Sequence, residues 1–453
     1  MIMLNHNHEQ NQLPKEIMAA FKELKVSQHL KKAGFTKRFG FSCRYLFQIV
    51  FCLVFYQKNW FRLLESSPKE LFPGKDAVYR FLNYARFSWR NFLSRLSGEA
   101  VKVVAGLTSK SRVKVFIIDD SAYERNRSKK VELLARLRDH AKNCYYLGFR
   151  MLTLGWSDGH TFIPLDFSLL SSQNSRINGV SKAIDKRTCG YKRRLEALLP
   201  APEIIPNMLD RALAQGVSAS YVLMDSWYTY APLIAKIKQR GLDVIGMVKA
   251  TNQRYRVGGR LLDLKGLYQA ARPVLGGRRD VLRTVIAQLV PDIAVKVVFV
   301  GHRANPKEWL AILSTDLSLS EEEIIRIYGI RWDIETFFKC TKSLLRLQKE
   351  FKGLSYDMQI AHTTIVFSRY IILAWQHRKN TDERTFGGLF FEWCEEVKAL
   401  DWTVALKQLL EILNELAGKA SFIGRFVKSQ IQQWIANLPS SIKACLPNLC
   451  CEG

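Results

Sequence analysis

The chain is short of acid. Its 453 residues carry 41 Asp plus Glu against 68 Lys plus Arg, a formal net charge of +27. A surface this basic attracts a polyanion, and nucleic acid is the commonest one; a merely solubilising basic surface is the plainer alternative. Nine cysteines include no Cys-x-x-Cys pair, and the eight His do not cluster near them. That argues against a disulfide framework and against a zinc site, and favours reduced thiols. Long apolar runs are missing too. The most apolar stretch, Tyr45 to Tyr56 (YLFQIVFCLVFY), has about half the length needed to span a bilayer and is expected to be a buried helix. The opening MIMLNHNHEQNQLPKE has no apolar signal core. A soluble protein with no membrane partner is expected.

What is present is enough apolar residue, 48% of the chain, to bury a sizeable interior, over a length that suits two or three domains. No internal repeat is visible. Residues 1–12 are expected to be disordered, and 1–107 to form a helical N-terminal region, with apolar residues recurring every three or four from Pro14. Arg80, Tyr84, Arg86, Trp89 and Arg90 interleave charge with aromatic rings there. This suits either a DNA-binding domain or a bundle with a solvated basic face.

Residues 108–249 change character. VKVFIID from Val113 is a buried strand by composition, followed by a basic segment from Arg125 to Arg138. Tyr145 to Leu170 forms two strands turning at Ser157-Asp158-Gly159. A loop through Arg194, a helix near Asn207 to Gln215, a strand Tyr221 to Asp225, a helix Tyr230 to Arg240 and a strand Leu242 to Val248 complete this part. A hairpin followed by helix-connected strands implies an α/β fold, a mixed sheet flanked by helices. Residues 250–315 form a β-rich insertion with Gly turns, 316–378 return to helix, and 379–453 form a helical C-terminal region.

Two acidic positions close buried strands: Asp119-Asp120, and Asp225. Ligands gather outside the carboxyl ends of strands in such sheets, although an Asp there also serves as a turn former or helix cap. The stretch IYGIRWDIETFFKCTKSLLRL has the period of one long helix. On it Tyr328, Arg331, Glu335 and Lys342 fall at offsets 0, 3, 7 and 14, which stack on one stripe. An exposed i, i+4 ion pair is the plainer reading of Arg331 and Glu335.

The string Tyr-x-x-Arg-x-x-x-Glu, followed seven residues on by Lys342, resembles the signature of insertion-sequence-4 transposases, a bacterial branch of the DDE transposases. IIDDS and LMDSWYT resemble that family's two Asp motifs, giving Asp120 before Ser121, with Asp119 as the alternative, and Asp225. The resemblance implies a ribonuclease-H-like mixed sheet interrupted by the β-rich insertion, which suits the 335 − 225 = 110 residues between Asp225 and Glu335. It implies catalytic acids Asp120, Asp225 and Glu335 holding two Mg²⁺ ions (Mn²⁺ may substitute), with Asp120 bridging them. In-line displacement at phosphorus is the chemistry such a pair of ions serves.

Arg331 and Lys342 would then contact DNA phosphates and Tyr328 would hydrogen-bond one. Trp309, in NPKEWLAILST, would stack on a base flipped from the transposon end, its alternative being a core Trp on a strand. Lys249 would approach the DNA. The segments Arg125 to Arg138 and Lys186 to Arg194 would hold phosphates. The implied protein is a cut-and-paste transposase binding terminal inverted repeats and target DNA as a homodimer, in the bacterial cytoplasm at the nucleoid. The alternatives are an inactive DNA-binding protein of transposase origin and a nuclease without strand transfer.

Overall fold

The β-branched and aromatic run from Val115 forms an interior strand of a mixed sheet that has twelve strands among the described residues. In the computed structural model the described residues are 15–66, 72–109, 111–139, 142–181, 183–274, 281–301, 305, 308–379, 384–399, 409 and 422–436. The expected disorder of 1–12 lies outside them, as does most of 379–453. The strands are β1 (Val115–Glu124), β2 (Ala135–Asp139), β3 (Cys144–Ser157), β4 (Phe162–Leu170), β5 (Tyr221–Met224) and β6 (Asp243–Val248). Then come β7 (Tyr255–Val257), β8 (Arg260–Leu262), β9 (Arg272–Pro273), β10 (Val281–Leu289), β11 (Ile293–Gly301) and β12 (Trp309–Ser314). The order is β2-β3-β1-β5-β6-β12-β11-β10-β7-β8, with β4 also on β3 and β9 on β10.

β3 and β4 form the expected hairpin, antiparallel to each other, and β3 runs antiparallel to β1. β5 and β6 lie parallel to β1. Val115, Phe116, Ile117 and Ile118 are all buried, as a central strand covered on both faces requires. The insertion does not build a separate sheet. β12 pairs antiparallel with β6, from Ser314 opposite Ile245 to Ala311 opposite Val248, so the insertion strands extend the central sheet. Its β7–β8 hairpin turns on Gly258 and Gly259 at φ of 53° and 79°, a left-handed pair that only residues without a Cβ adopt cheaply.

The helices are α1 (Lys15–Glu23), α2 (Val26–Lys32), α3 (Cys43–Cys52), α4 (Trp60–Glu65), α5 (Lys75–Asn83) and α6 (Trp89–Gly106) before the sheet. α7 (Cys189–Glu196), α8 (Ala201–Ala214), α9 (Ala231–Lys238) and α10 (Leu264–Ala270) connect its strands. α11 (Glu321–Gly329), α12 (Trp332–Ser343) and α13 (Tyr356–Lys379) follow β12, and a further helix spans Phe422–Ala436. α13 is buried from Tyr356 to Gln376, and its fully buried Arg369 pairs with Glu350 and donates to the Val50 and Phe51 carbonyls at the end of α3. The N-terminal helices therefore share one core with the sheet. Among the described residues no helix is long and apolar enough to cross a membrane.

Three expectations change. Trp89 is fully buried against Phe35 and Phe81, and Arg90 is paired with Asp166 and Glu196, so this part of the basic–aromatic pattern is interior packing. The loop expected through Arg194 contains α7, capped by the Thr188 side chain accepting from the Tyr191 N–H. On it Arg193 and Arg194 are buried, paired with Asp357 and with Glu132, and so are closed to phosphate. The single long helix is two, because Ile330, Arg331, Asp333 and Ile334 bond three residues back instead of four, which tightens the chain between α11 and α12. α11 opens with a reciprocal capping box between Ser320 and Glu323.

Candidate active site

β5 ends at Met224, opposite Ile118 of its parallel neighbour β1. Carried one step beyond the strand, that register sets Asp119 beside Asp225, and in parallel strands such side chains leave the same face. Asp120 therefore leaves the other. β1 itself runs on to Glu124, so the acids do not close their own strand as the sequence suggests. They lie where the parallel neighbour stops.

α12 covers the Asp119 face. Arg331, at its start, donates from Nη1 to Asp119 Oδ2 at 2.8 Å and from Nη2 to Glu335 Oε1 at 2.6 Å. Lys342, near its end, donates to Ser121 Oγ at 2.6 Å, two residues along β1 on the same face. Two of the four residues of the helical stripe, Arg331 and Lys342, thus meet β1 directly, and Glu335 is held to it through Arg331. Tyr328 is buried beside them, with the Arg331 guanidinium 5.9 Å from its ring centre. On the opposite face Asp120 accepts a short hydrogen bond from the Tyr228 hydroxyl and sits 3.7 Å from Arg150 Nε.

The charges are strained. Burial, reinforced by the negative charge of Asp225 and opposed by Arg331, pushes the Asp119 carboxyl up to about 7. Burial also raises Asp225, although the Trp227 N–H donates to it at 2.9 Å. Burial, with Lys142 nearby, lowers Lys342, and burial pushes Tyr328 up to about 12. A cation close to Asp119 and Asp225 therefore relieves their charge. Among the described residues no group of three or more His, Cys, Asp or Glu side chains is gathered as for a metal ion. Arg331 stands between Asp119 and Glu335 instead.

The remaining candidates are spread around this centre. Lys249 follows β6, and its ammonium lies 3.2 Å above the ring centre of Trp227. Trp309 begins β12, half-buried, stacked on Tyr268 at 4.8 Å and 5° and edge-on to Phe299 at 5.0 Å and 87°. One face of its indole is thus already covered. Sequence reasoning missed Trp227, Tyr228 and Arg150. The first two stood in plain view in LMDSWYT, directly after the second acid, whereas Arg150 reaches Asp120 only through strand pairing.

No curated protein sequence matches the chain. Among solved structures it is similar to the cryo-EM structure of a piggyBac transposase synaptic complex with hairpin DNA, at 10% identity and a TM-score of 0.43, over 98% of this chain and 87% of that one. The family described as DDE superfamily endonuclease matches residues 62–305, which include Asp119, Asp120, Asp225 and Lys249 and end before α11. That match covers more than half of the chain, and the protein belongs to the DDE superfamily endonucleases.

Proposed function

We propose that this endonuclease-family chain is a DNA transposase whose three catalytic carboxylates are Asp119, Asp225 and Glu335. The observation that carries the reading is the Arg331 guanidinium shared between Asp119 and Glu335, with Asp225 next to Asp119 across parallel strands. Asp119 takes the place that the sequence motif gave to Asp120. Asp120 faces Tyr228 and Arg150, and its role is to fix the loop that carries Asp225.

The three carboxylates are hard oxygen donors of the kind Mg²⁺ or Mn²⁺ takes, and the raised Asp119 carboxyl marks a place where added positive charge is favourable. They fit the two-ion role. When bound, the ions supply Lewis-acid stabilisation to the oxygens around phosphorus. Arg331 and Lys342 supply cations to phosphate oxygens, and Arg331 exchanges its two carboxylates for phosphate when DNA arrives. Tyr328 backs Arg331 from its buried side. The net charge of +27 suits a partner that is duplex DNA along much of the surface.

In its full form the reading is a cut-and-paste element of the insertion-sequence-4 type, acting as a homodimer on terminal inverted repeats. The test mixes the full chain with Mg²⁺ and duplex DNA carrying the repeats that flank its coding sequence. Nicked, hairpin and joined products are scored. Glu335→Gln should lose product by more than the ~10–100-fold typical of outer-shell metal partners. Equal products from wild type and Glu335→Gln would sink the assignment.

A further inference from the structure

α6 carries Arg95, Glu99 and Lys102 at offsets 0, 4 and 7, which is one stripe of the helix. α2 packs against α6 and carries His29 and Lys32 three residues apart, also on one face. With Lys114, the residue before β1, these side chains line a cavity of about 530 Å³, within the range of small-ligand clefts. Trp156 and Ser218 close it, the buried indole donating to the Ser218 carbonyl at 3.1 Å. The cavity lies at the end of β1 away from the catalytic acids. From Lys114 to Asp119 is five residues of extended chain, roughly 16 Å at ~3.3 Å per residue.

Four cations, Lys32, Arg95, Lys102 and Lys114, thus face one carboxylate, Glu99, and Lys25 already holds that carboxylate at 2.6 Å. Among the described residues Lys32, Lys102 and Lys114 have no ion-pair partner. The C-terminus of α8 adds only about half a negative charge at Gln215, too little to offset them. His29 lines the same cavity. Its side chain is only 9% exposed, and neither ring nitrogen has a hydrogen-bond partner. Glu99 Oε2 stands 4.0 Å from Nε2, beyond hydrogen-bond reach. Burial lowers the affinity of the imidazole for a proton; the Glu99 charge opposes this and the Lys32, Arg95 and Lys25 charges add to it. The ring is therefore neutral, with one N–H to donate. A buried donor without a partner is uncommon in a folded protein and is a group that a ligand can satisfy.

Unmatched cations around a buried donor select a small anion of more than one charge. We propose that the cavity between α2, α6 and the start of β1 binds a small molecule carrying a phosphate or diphosphate group, its oxygens taken by Lys32, Arg95, Lys102 and Lys114 and by the His29 N–H. Phosphate oxygens are strong acceptors for such charged donors, and a diphosphate has enough of them for all five. The degree of burial separates this ligand from duplex DNA. Lys32 and Lys102 are exposed, but Arg95 and Lys114 are half-buried and His29 is buried. A duplex presents its phosphates on a rigid convex surface and reaches the exposed pair alone. A small phosphate enters the cavity and reaches the rest. The proposal is independent of the roles given to Asp119, Asp225 and Glu335.

The test is isothermal titration calorimetry of the full chain with inorganic pyrophosphate, in EDTA and about 0.15 M salt to screen loose surface charge. Wild type should bind one equivalent saturably. Lys102→Gln and Lys114→Gln, whose side chains have no ion pair to lose, should each weaken binding about ten-fold, and the double variant should leave none measurable. His29→Phe keeps a ring of similar shape and should also weaken binding about ten-fold, through loss of the N–H. Lys342→Gln, at the catalytic end of the sheet, should bind as wild type does. A saturating duplex of roughly twenty base pairs, added at the same salt, should leave the pyrophosphate affinity within about two-fold. Absence of one-site saturation, binding that survives in the double variant, or binding lost in Lys342→Gln overturns the site. Displacement of pyrophosphate by the duplex overturns it too, by giving these cations to DNA. Each of these results leaves the catalytic reading to stand or fall by the Mg²⁺ cleavage products of Glu335→Gln.

Discussion

Replacing Asp119 by Asn should make the metal-free protein more stable while abolishing its activity. The Asp119 carboxyl is pushed from 3.8 up to about 7 by burial and by the charge of Asp225. Its side chain is 15% exposed, so little of this is screened by solvent. At ~1.4 kcal/mol per tenfold, keeping it ionised at pH 8 costs the folded state about 4 kcal/mol. The folded-state value lies above the unfolded one. Its contribution to stability is therefore fully present below pH 3.8 and lost as pH rises through about 7.

Asn carries no charge at any pH, so the variant escapes that loss. Urea denaturation in EDTA should show Asp119→Asn more stable than wild type by an amount that widens by about 3 kcal/mol between pH 5 and pH 8. DNA cleavage in Mg²⁺ should fall more than about 100-fold in the same variant. Asp120→Asn should keep its cleavage within about ten-fold, since it loses the bond from Tyr228 but no member of the Asp119–Arg331–Glu335 chain. Cleavage that survives Asp119→Asn and dies with Asp120→Asn would refute the register argument and restore the first acid to Asp120.

Other consequences can be measured separately. Arg194 grips Glu132 with two bonds of 2.7 Å and reaches Asp357 at 2.8 Å, all buried. Arg194→Met should cost about 3–5 kcal/mol by chemical denaturation, since it leaves buried acids uncompensated. Burial works against the Glu132 charge, but Arg194 and the Ser181 and Tyr356 N–H groups outweigh it and hold the carboxyl below its usual 4.5. The stability this confers is present above pH 4.5 and lost as pH falls below it, so acid titration of wild type and Glu132→Gln should converge at low pH. Trp309→Ala should lose about 2 kcal/mol of stability, roughly half the cost for a fully buried Trp, with Trp309→Phe recovering most of it. A Trp309→Ala protein of unchanged stability would argue against a packing role. Lys342→Met should weaken duplex DNA binding and lower its salt slope by about 0.9, one phosphate contact; an unchanged slope would remove Lys342 from the DNA contact set.

The sequence by itself determined the elements whose signal is local. The alternation of Tyr145 to Leu170 around Ser157-Asp158-Gly159 specified the β3–β4 hairpin, and the run after Val113 specified β1. The i, i+4 spacing of Arg331 and Glu335 put that pair together, since a helix fixes it from within. The residues of the motif, Tyr328, Arg331, Glu335 and Lys342, are spread over α11 and α12 and the tightened turn between them, where the sequence suggested one helix. What the sequence left open was every choice that depends on a partner far along the chain. Asp119 and Asp120 are adjacent and chemically identical; only the parallel register with β5, about a hundred residues away, and the position of Arg331 decide which face each of them leaves. Arg90, Arg193 and Arg194 looked like a basic surface because composition does not show whether a cation has a buried acid opposite it. Trp227 and Trp309 are the same residue type beside the same machinery. Tertiary packing covers Trp309 with Tyr268 and leaves Trp227 55% exposed, because a side chain on a paired strand packs against its sheet face and one in a loop need not.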